Sequence, residues 1–400
     1  MKQRVFISIF SGMVALLTGL VYLEFMARRM SVDSRPHQKI ARLDQDLGYT
    51  FIPHLRFRHK SSEFDVQQTV NSSGFIDDEF EFKNPTRPIC VAVFGDSQCE
   101  GMAVPHDKRF DTLLEKRLKQ DLGFPVQIYN FALSGFSSTQ EWLCYQKKAL
   151  PYKPDIVLLL ANIPTDLLDN MNWGKGGGNR VVLDVDEKGN FFHPRSNKLS
   201  DYKPVAYADA HTGPDASQKA YKRFLTEHSA LYRYSRTAMH DNPRLHKWLI
   251  RHKLAEPKPA GYFEDMEKWL QVFNPQWPPD IEHSWKISQA VFLHFAQDTH
   301  KRGIPFVVMS VPFVEQVNTN RLTNIYPELD PLILENRIQQ FLLDHHIESI
   351  RLLDKLRSIP NADKRFYLAK DHHFNEEGYV LLADLLEPVM ISKIKALHKN

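Results

Sequence analysis

The chain has 400 residues, of which 42% are apolar, and a formal net charge of +3 at pH 7. This length can bury one large core with an insertion, or two modest domains. Because no basic block is interleaved with aromatic residues, nucleic acid is not an expected partner. The three cysteines, Cys90, Cys99 and Cys144, form neither a CxxC pair nor a disulfide framework, and Cys99 is expected to be a buried structural thiol.

Residues 5–23 carry no charge and follow Lys2 and Arg4. A helix of this length crosses a bilayer core. No A-x-A site follows, which favours an uncleaved anchor over a cleaved signal peptide. The orientation signals conflict. The basic residues between 28 and 42 favour a cytoplasmic body, whereas the short positive segment before the span favours export.

The next region, residues 28–87, is polar but contains short aromatic pieces at 47–53 and 71–76. This pattern predicts a juxtamembrane arm of short strands and turns that packs on the main domain.

The main domain begins with an unbroken apolar run at residues 89–94, which ends at Gly95 and is typical of a strand buried on both faces. The elements predicted after it are a helix at 107–120, a strand at 126–131, a helix at 138–150 opened by a capping box at 138–141, and a strand at 155–161. This alternation predicts a parallel sheet with right-handed crossovers.

The alternation breaks at the glycine-rich run 172–180, which lacks the Gly-Lys-Ser/Thr of a phosphate loop and is interpreted as a rim or hinge. A hairpin is predicted at 181–192 with its turn at 188–190, and a helical face at 216–240. Five of the six tryptophans lie between residues 171 and 287. They are expected to form the insertion's own core, with stacking on sugar rings or contact with an acyl chain as alternatives.

The sheet pattern then resumes with a helix at 285–300, a strand at 304–311, a helix capped by Asp330 with Pro331 at its first position, a strand at 349–353, and a helix that follows Asn375 and is kinked or ended by Pro388. The domain boundaries predicted from these patterns are an anchor at 1–27, the arm at 28–87, a main domain in two parts at 88–170 and 285–400, and an insertion or lid at 171–284.

The candidate chemistry lies at the carboxyl ends of the strands, where open α/β sheets hold their ligands. Ser97 follows the first strand of the main domain and is a candidate nucleophile. A serine needs a base and a carboxylate that orients the base, and His373 and Asp371 supply that pair. His372 is an alternative base whose side chain is expected to point away. A zinc site at 371–373 lacks a second cluster of ligands.

Three segments together resemble the SGNH/GDSL hydrolase family: Gly95-Asp96-Ser97 with Gly101, the run NFALSG at 130–135, and the run DHHFNEEG at 371–378. The resemblance covers roughly residues 71–386 apart from the insertion. It implies a three-layer, flavodoxin-like α/β sandwich with a parallel five-stranded sheet. It also implies a Ser97, His373 and Asp371 triad, with the N–H groups of Ser97 and Gly135 donating to the oxyanion.

The third block of the family departs from the pattern. The asparagine that donates to the oxyanion in the family falls on Thr165 in this chain, unless the turn is reshaped and Asn162 takes over. Loss of one such donor typically costs about a hundredfold in rate. We therefore expect weak activity or a specialised site.

The resemblance implies a serine esterase, without cofactor or metal, that hydrolyses acyl esters (O-acetyl esters included) of an envelope glycan or lipid. The segment at 71–76 resembles bacterial, membrane-anchored members that commonly work on the envelope side. This favours a single-pass protein of the inner (cytoplasmic) membrane with its catalytic domain on the periplasmic side. Two alternatives stay open, an O-acetyltransferase of exported polysaccharide and a non-catalytic SGNH-like envelope binding or assembly protein.

Overall fold

A computed structural model describes residues 2–30, 40–61, 63–82, 88–171, 181, 183–192, several positions between 221 and 235, and 270–397. The glycine-rich run 172–180 and the tryptophans Trp173, Trp248 and Trp269 lie outside the described residues, and the helical face predicted at 216–240 lies largely outside them.

The strands in chain order are β1 Ala41–Asp44, β2 Gly48–Phe51, β3 Arg56–Lys60, β4 Asp65–Thr69, β5 Ile89–Gly95, β6 Val126–Asn130, β7 Ile156–Ala161, β8 Asp184–Val185, β9 Phe191–Phe192, β10 Phe306–Ser310 and β11 Glu348–Arg351. The helices are α1 Lys2–Met30, α2 Ser97–Glu100, α3 Phe110–Leu122, α4 Ser138–Cys144, α5 Ile163–Asn170, α6 Pro279–Arg302, α7 Val314–Val317, α8 Asn320–Thr323, α9 Ile333–Asp344, α10 Leu352–Arg357, α11 Ala362–Arg365 and α12 Glu376–Leu397.

Five strands form one parallel sheet in the order β11-β10-β7-β5-β6, which confirms the predicted parallel five-stranded α/β fold. Alternate residues of β5 enter two separate cores, as expected for a strand buried on both faces. Val91 and Val93 pack with residues of α3 and α12, whereas Phe94 packs with residues of α4 and α6. The sheet therefore lies between two helical layers.

The arm forms two antiparallel hairpins, β1 with β2 and β3 with β4. Tyr49, Phe51 and Phe57 are almost fully buried in the same hydrophobic cluster as Phe94 and Phe131. The described part of the arm thus shares its core with the sheet.

The N-terminal helix α1 contains an apolar window, Phe10–Arg29, with a mean hydropathy of 1.6 and only 6% of its residues buried. It is long and apolar enough to cross a membrane. Near its end, Glu24 accepts hydrogen bonds from Ser229 Oγ at 2.8 Å and Ala230 N at 2.9 Å. This contact ties the end of α1 to described residues of the predicted insertion.

Several helix boundaries differ from the sequence prediction, among them the start of α6, which lies at Pro279 inside the predicted insertion rather than at residue 285. The capping box of α4 is formed by Ser137 with Gln140, because the extended backbone at Ser137 places its side chain at the helix start. Asp330 accepts from Leu332 N at 2.9 Å in a turn, and α9 begins only at Ile333. Pro388 lies inside α12, which continues to Leu397. Burial of Leu386, Met390 and Ile394 along α12 opposes the cost of a proline in a helix interior.

The predicted hairpin is present as β8 and β9, which are antiparallel. Of the tryptophans in and beside the insertion, Trp277 and Trp285 belong to the main hydrophobic cluster. Trp277 Nε1 donates to Val272 O at 2.8 Å, and the Arg337 guanidinium lies 3.9 Å from its ring centroid. These two tryptophans therefore serve packing. All three cysteines lie within the described residues, are buried and form no disulfide, and burial is as expected for Cys99.

Candidate active site

Ser97 lies at the start of α2, directly after β5. The turn between strand and helix is tight, since a Cβ on Gly95 would lie 2.6 Å from Cys99 Cβ and 3.0 Å from Leu160 O. Asp96 caps the helix by accepting from Gln98 N at 2.9 Å. The turn and the cap together place the Ser97 hydroxyl at the carboxyl end of the sheet.

The structure brings together Ser97, His373 and Asp371, although Ser97 and His373 are 276 residues apart. His373 Nε2 lies 2.7 Å from Ser97 Oγ, and His373 Nδ1 contacts Asp371 Oδ1. Because a carboxylate only accepts, the neutral ring carries its proton on Nδ1 and leaves Nε2 to accept the hydroxyl proton. The three groups form a continuous hydrogen-bonded chain.

The loop that carries Asp371 and His373 does not follow β11 directly, since α10 and α11 intervene. The loop closes on itself through Leu368 N, which donates to His373 O at 2.8 Å, with His372 in the left-handed region at φ 66°. The His372 ring lies 3.4 Å from Arg321 rather than on Ser97. Of the two neighbouring histidines, His373 is therefore the one that faces the serine.

Gln98, the residue after Ser97, connects the serine turn to this loop. Its Oε1 accepts from Phe374 N at 3.1 Å, and its Nε2 donates to His372 O at 3.2 Å. Gln98 is 4% exposed, so these contacts are shielded from water. Sequence reasoning did not single out Gln98, although its place beside Ser97 in the first turn of a helix was a usable signal.

The charges around His373 favour its protonated form. Burial lowers the pKa of His373, but the hydrogen bond and charge of Asp371, with the Asp96 and Glu100 carboxylates, outweigh this and raise the pKa above its ordinary value. Burial raises the pKa of Asp371, yet its contact with His373 outweighs that effect and lowers the pKa. The Asp371 and His373 pair is thus suited to stabilise an imidazolium.

Asn162 and Thr165 both turn toward Asp96. Asn162 Nδ2 and Thr165 Oγ each lie 2.9 Å from Asp96 Oδ2. Asn162 is only 1% exposed, whereas Thr165 is partly exposed. Both candidate oxyanion donors of the third block, Asn162 and Thr165, are therefore in contact with Asp96, the residue before Ser97.

The loop containing Gly135 is held on both sides of Ser134. Ser134 N donates to Glu100 Oε2, and Ser134 O accepts from Tyr49 OH at 2.7 Å. Gly135 itself has φ +78°, which favours glycine. Among the described residues, neither Gly135 N nor Ser97 N donates a hydrogen bond, so both N–H groups are available to an incoming anion.

Three buried carboxyl groups lie near the serine turn. Burial raises the pKa of Glu100 to about 7, against the lowering effect of its contact with Ser134. Burial, followed by the charge of Asp96, raises the pKa of Asp166 well above its usual range, and Glu141 is affected likewise by burial and Asp166. Both carboxylate oxygens of Glu141 and of Asp166 lack a hydrogen-bond partner within the described residues.

No group of three or more His, Cys, Asp or Glu side chains within the described ranges is arranged to hold a metal ion.

No protein-family model matches the chain, and no curated protein sequence does. Solved structures resemble it only distantly. An acetyl xylan esterase is 13% identical with a TM-score of 0.38, and the match covers 75% of this chain and 99% of that one. A lipase/acylhydrolase from Enterococcus faecalis is 14% identical with a TM-score of 0.32, covering 76% and 96%. An acetylxylan esterase from Geobacillus stearothermophilus is 11% identical with a TM-score of 0.36, covering 75% and 94%.

Proposed function

We propose that the chain is a serine ester hydrolase of the SGNH/GDSL type. The observation that carries the proposal is the hydrogen-bonded chain from Ser97 Oγ through His373 to Asp371. Two of the three sequence blocks that resemble the family supply these residues, and the remaining block supplies Gly135. A serine, a base within 2.7 Å and a carboxylate behind that base are the parts that nucleophilic acyl transfer needs.

The reaction follows from the positions of the protons. Ser97 Oγ attacks the ester carbonyl while His373 Nε2 takes its proton. The tetrahedral intermediate then collapses, and the imidazolium returns the proton to the leaving alcohol. A water molecule, deprotonated by His373, attacks the acyl-enzyme. The second tetrahedral intermediate then releases the carboxylic acid while His373 returns the proton to Ser97 Oγ. Asp371 holds the ring orientation and stabilises the imidazolium.

The oxyanion receives hydrogen bonds from the N–H groups of Ser97 and Gly135. Thr165 is the side chain that we assign as third donor, because it is partly exposed and its hydroxyl can turn from Asp96 to a ligand. Asn162 is buried with its amide on Asp96, and we assign it to holding the turn. A single hydroxyl is less rigid than an amide, so the expected activity is modest.

The proposed substrates are acyl esters, O-acetyl esters included, of an envelope glycan or lipid. The Asp371 and His373 side chains are about one-third exposed, at 31% and 33%, so an ester group can approach them from solvent. The apolar helix α1 would keep the site close to a membrane. In this proposal residues 1–27 are an uncleaved anchor, and the arm and the main domain follow it on the periplasmic side of the inner membrane.

The activity is tested on the full chain in detergent with p-nitrophenyl acetate and a fluorophosphonate probe. We expect hydrolysis and labelling, both abolished by Ser97→Ala and unaffected by Ser358→Ala, which removes an exposed serine after α10. Acetyl transfer to an oligosaccharide with little hydrolysis would favour the O-acetyltransferase function over the esterase function. An unlabelled wild type would favour the binding protein.

The location is tested separately with alkaline phosphatase fused after Asn400. Activity of the fusion in cells supports export of the body. An inactive fusion would place the main domain in the cytoplasm and contradict the envelope substrates.

A further inference from the structure

The arm forms hydrogen bonds with the backbone of the loop that carries Asp371 and His373. Glu63, in the connection between β3 and β4, accepts from Lys370 N at 3.1 Å and from Asp371 N at 3.0 Å. These N–H groups belong to Asp371, whose carboxylate contacts His373, and to the residue before it. None of the sequence blocks that suggested the triad includes Glu63.

The hairpin that presents Glu63 is itself ordered. Ser61 Oγ accepts from Glu63 N at 3.0 Å, and Ser61 N donates to Phe64 O at 2.8 Å. The His59 and Phe64 rings meet edge to face with centroids 4.7 Å apart. The Glu63 carboxylate therefore projects from a turn that these hydrogen bonds close.

The same hairpin is attached to the segment that follows the nucleophile. Gln68 of β4 is 1% exposed, and its Nε2 donates to Met102 O at 2.8 Å and Val104 O at 3.0 Å. Met102 lies directly beyond Gly101, which ends α2. The hairpin thus connects the two halves of the triad, with Gln68 attached near Ser97 and Glu63 attached to Asp371.

We propose that Glu63 is a positioning residue, which holds the Asp371 and His373 loop at the distance that Ser97 requires. This inference rests on the proposed serine esterase function. Without the Glu63 carboxylate, the backbone at 370–371 loses its outer contact, and the inner contacts with Gln98 reach only His372 and Phe374. A misplacement of about 1 Å at a catalytic group can cost up to a hundredfold in rate.

The test compares Glu63→Ala with Glu79→Ala in the full chain. Glu79 is a matched control, because it is also a glutamate of the arm that accepts from a backbone N–H, that of Ser72 at 2.9 Å. We expect Glu63→Ala to lower kcat about tenfold with KM within twofold, and to slow fluorophosphonate labelling equally. Glu63→Gln, whose amide oxygen still accepts, recovers most of the loss. Glu79→Ala leaves both rates unchanged.

A second measurement does not depend on activity. Hydrogen exchange of a peptide covering 366–375 should quicken in Glu63→Ala and stay as in the wild type in Glu79→Ala. Equal kcat and equal exchange in the two variants would overturn the inference. A wild type that neither hydrolyses esters nor labels would instead overturn the proposed function, and the exchange comparison would still decide whether Glu63 holds the loop. If Glu63→Ala does not fold, Glu63→Asp, which shortens the side chain, takes its place in both measurements.

Discussion

Two segments meet the turn that carries Asp96 and Ser97, and they differ in which residue they contact. The loop with Asp371 and His373 approaches from the partly exposed side and contacts the Ser97 hydroxyl. The turn with the buried Asn162 and the partly exposed Thr165 contacts the Asp96 carboxylate instead. Adjacent residues of one motif therefore have separate contacts, Ser97 with the proposed base and Asp96 with the neighbouring turn.

The contact of the Asp371 and His373 loop with Ser97 is tested by Asp371→Asn, the substitution for which we expect the largest loss of activity. The amide removes the negative charge behind His373, and kcat should fall by about 10²–10⁴ at pH 7. The carboxylate also raises the pKa of His373, and protonated His373 cannot accept the serine proton. Activity is therefore lost as pH falls through that pKa, and removal of the charge moves the loss to lower pH.

Profiles of kcat/KM between pH 5 and 9 for the wild type and Asp371→Asn measure both effects. Asp121→Asn, an exposed change near the end of α3, should leave the profile as it is. An unchanged acidic limb in Asp371→Asn would show that the aspartate does not control the base.

The role of the Asn162 and Thr165 turn is tested by Thr165→Val, which keeps the shape of the side chain and removes its hydroxyl. If Thr165 is the third oxyanion donor, kcat falls about 10- to 100-fold, and the melting temperature falls less than in Asn162→Ala because Thr165 is partly exposed whereas Asn162 is buried. Thr165→Ser should recover most of the rate. Steady-state kinetics with thermal melts test this, and a normal kcat in Thr165→Val would leave the oxyanion to the two backbone N–H groups.

Asn162→Ala is expected to lower stability more than activity, the reverse of Thr165→Val. It removes a buried amide that donates to Asp96, which costs about 1–3 kcal/mol and lowers the melting temperature by about 3–8 °C. The kcat measured well below the melting temperature should fall less than in Thr165→Val. A large loss of kcat with unchanged stability would exchange the roles that we assign to the two residues.

The features that could be predicted from the sequence are those that a local pattern of residues indicates. The runs that form β5, β7 and β10 were located within two residues because they are buried on both faces and therefore read as unbroken apolar segments. Ser97, Asp371 and His373 were predicted to act together from short blocks whose spacing resembles a family, and the structure brings them together.

The contacts of Glu63 and Tyr49 had no comparable signal. Glu63 bonds to backbone 307 and 308 residues away, and Tyr49 OH donates to a carbonyl 85 residues away. Such contacts depend on how the arm docks, which no local periodicity encodes. The capping box was displaced by one residue for a related reason, since Ser138 Oγ is occupied with Asn170 at 3.0 Å and leaves the cap to Ser137.

The smallest expected effect concerns stability at the buried carboxyls. Burial raises the pKa of Asp166 in the folded protein, so the folded state holds a proton that the unfolded state releases, and this contribution to stability is lost as pH rises. Asp166→Asn supplies a neutral group of the same shape. It should raise the melting temperature at pH 8 by about 2–4 °C for each kcal/mol recovered, and change it little at pH 4. Thermal melts of this variant beside Asp121→Asn measure the difference. An equal pH dependence in the wild type and Asp166→Asn would mean that Asp166 titrates as it does in the unfolded chain.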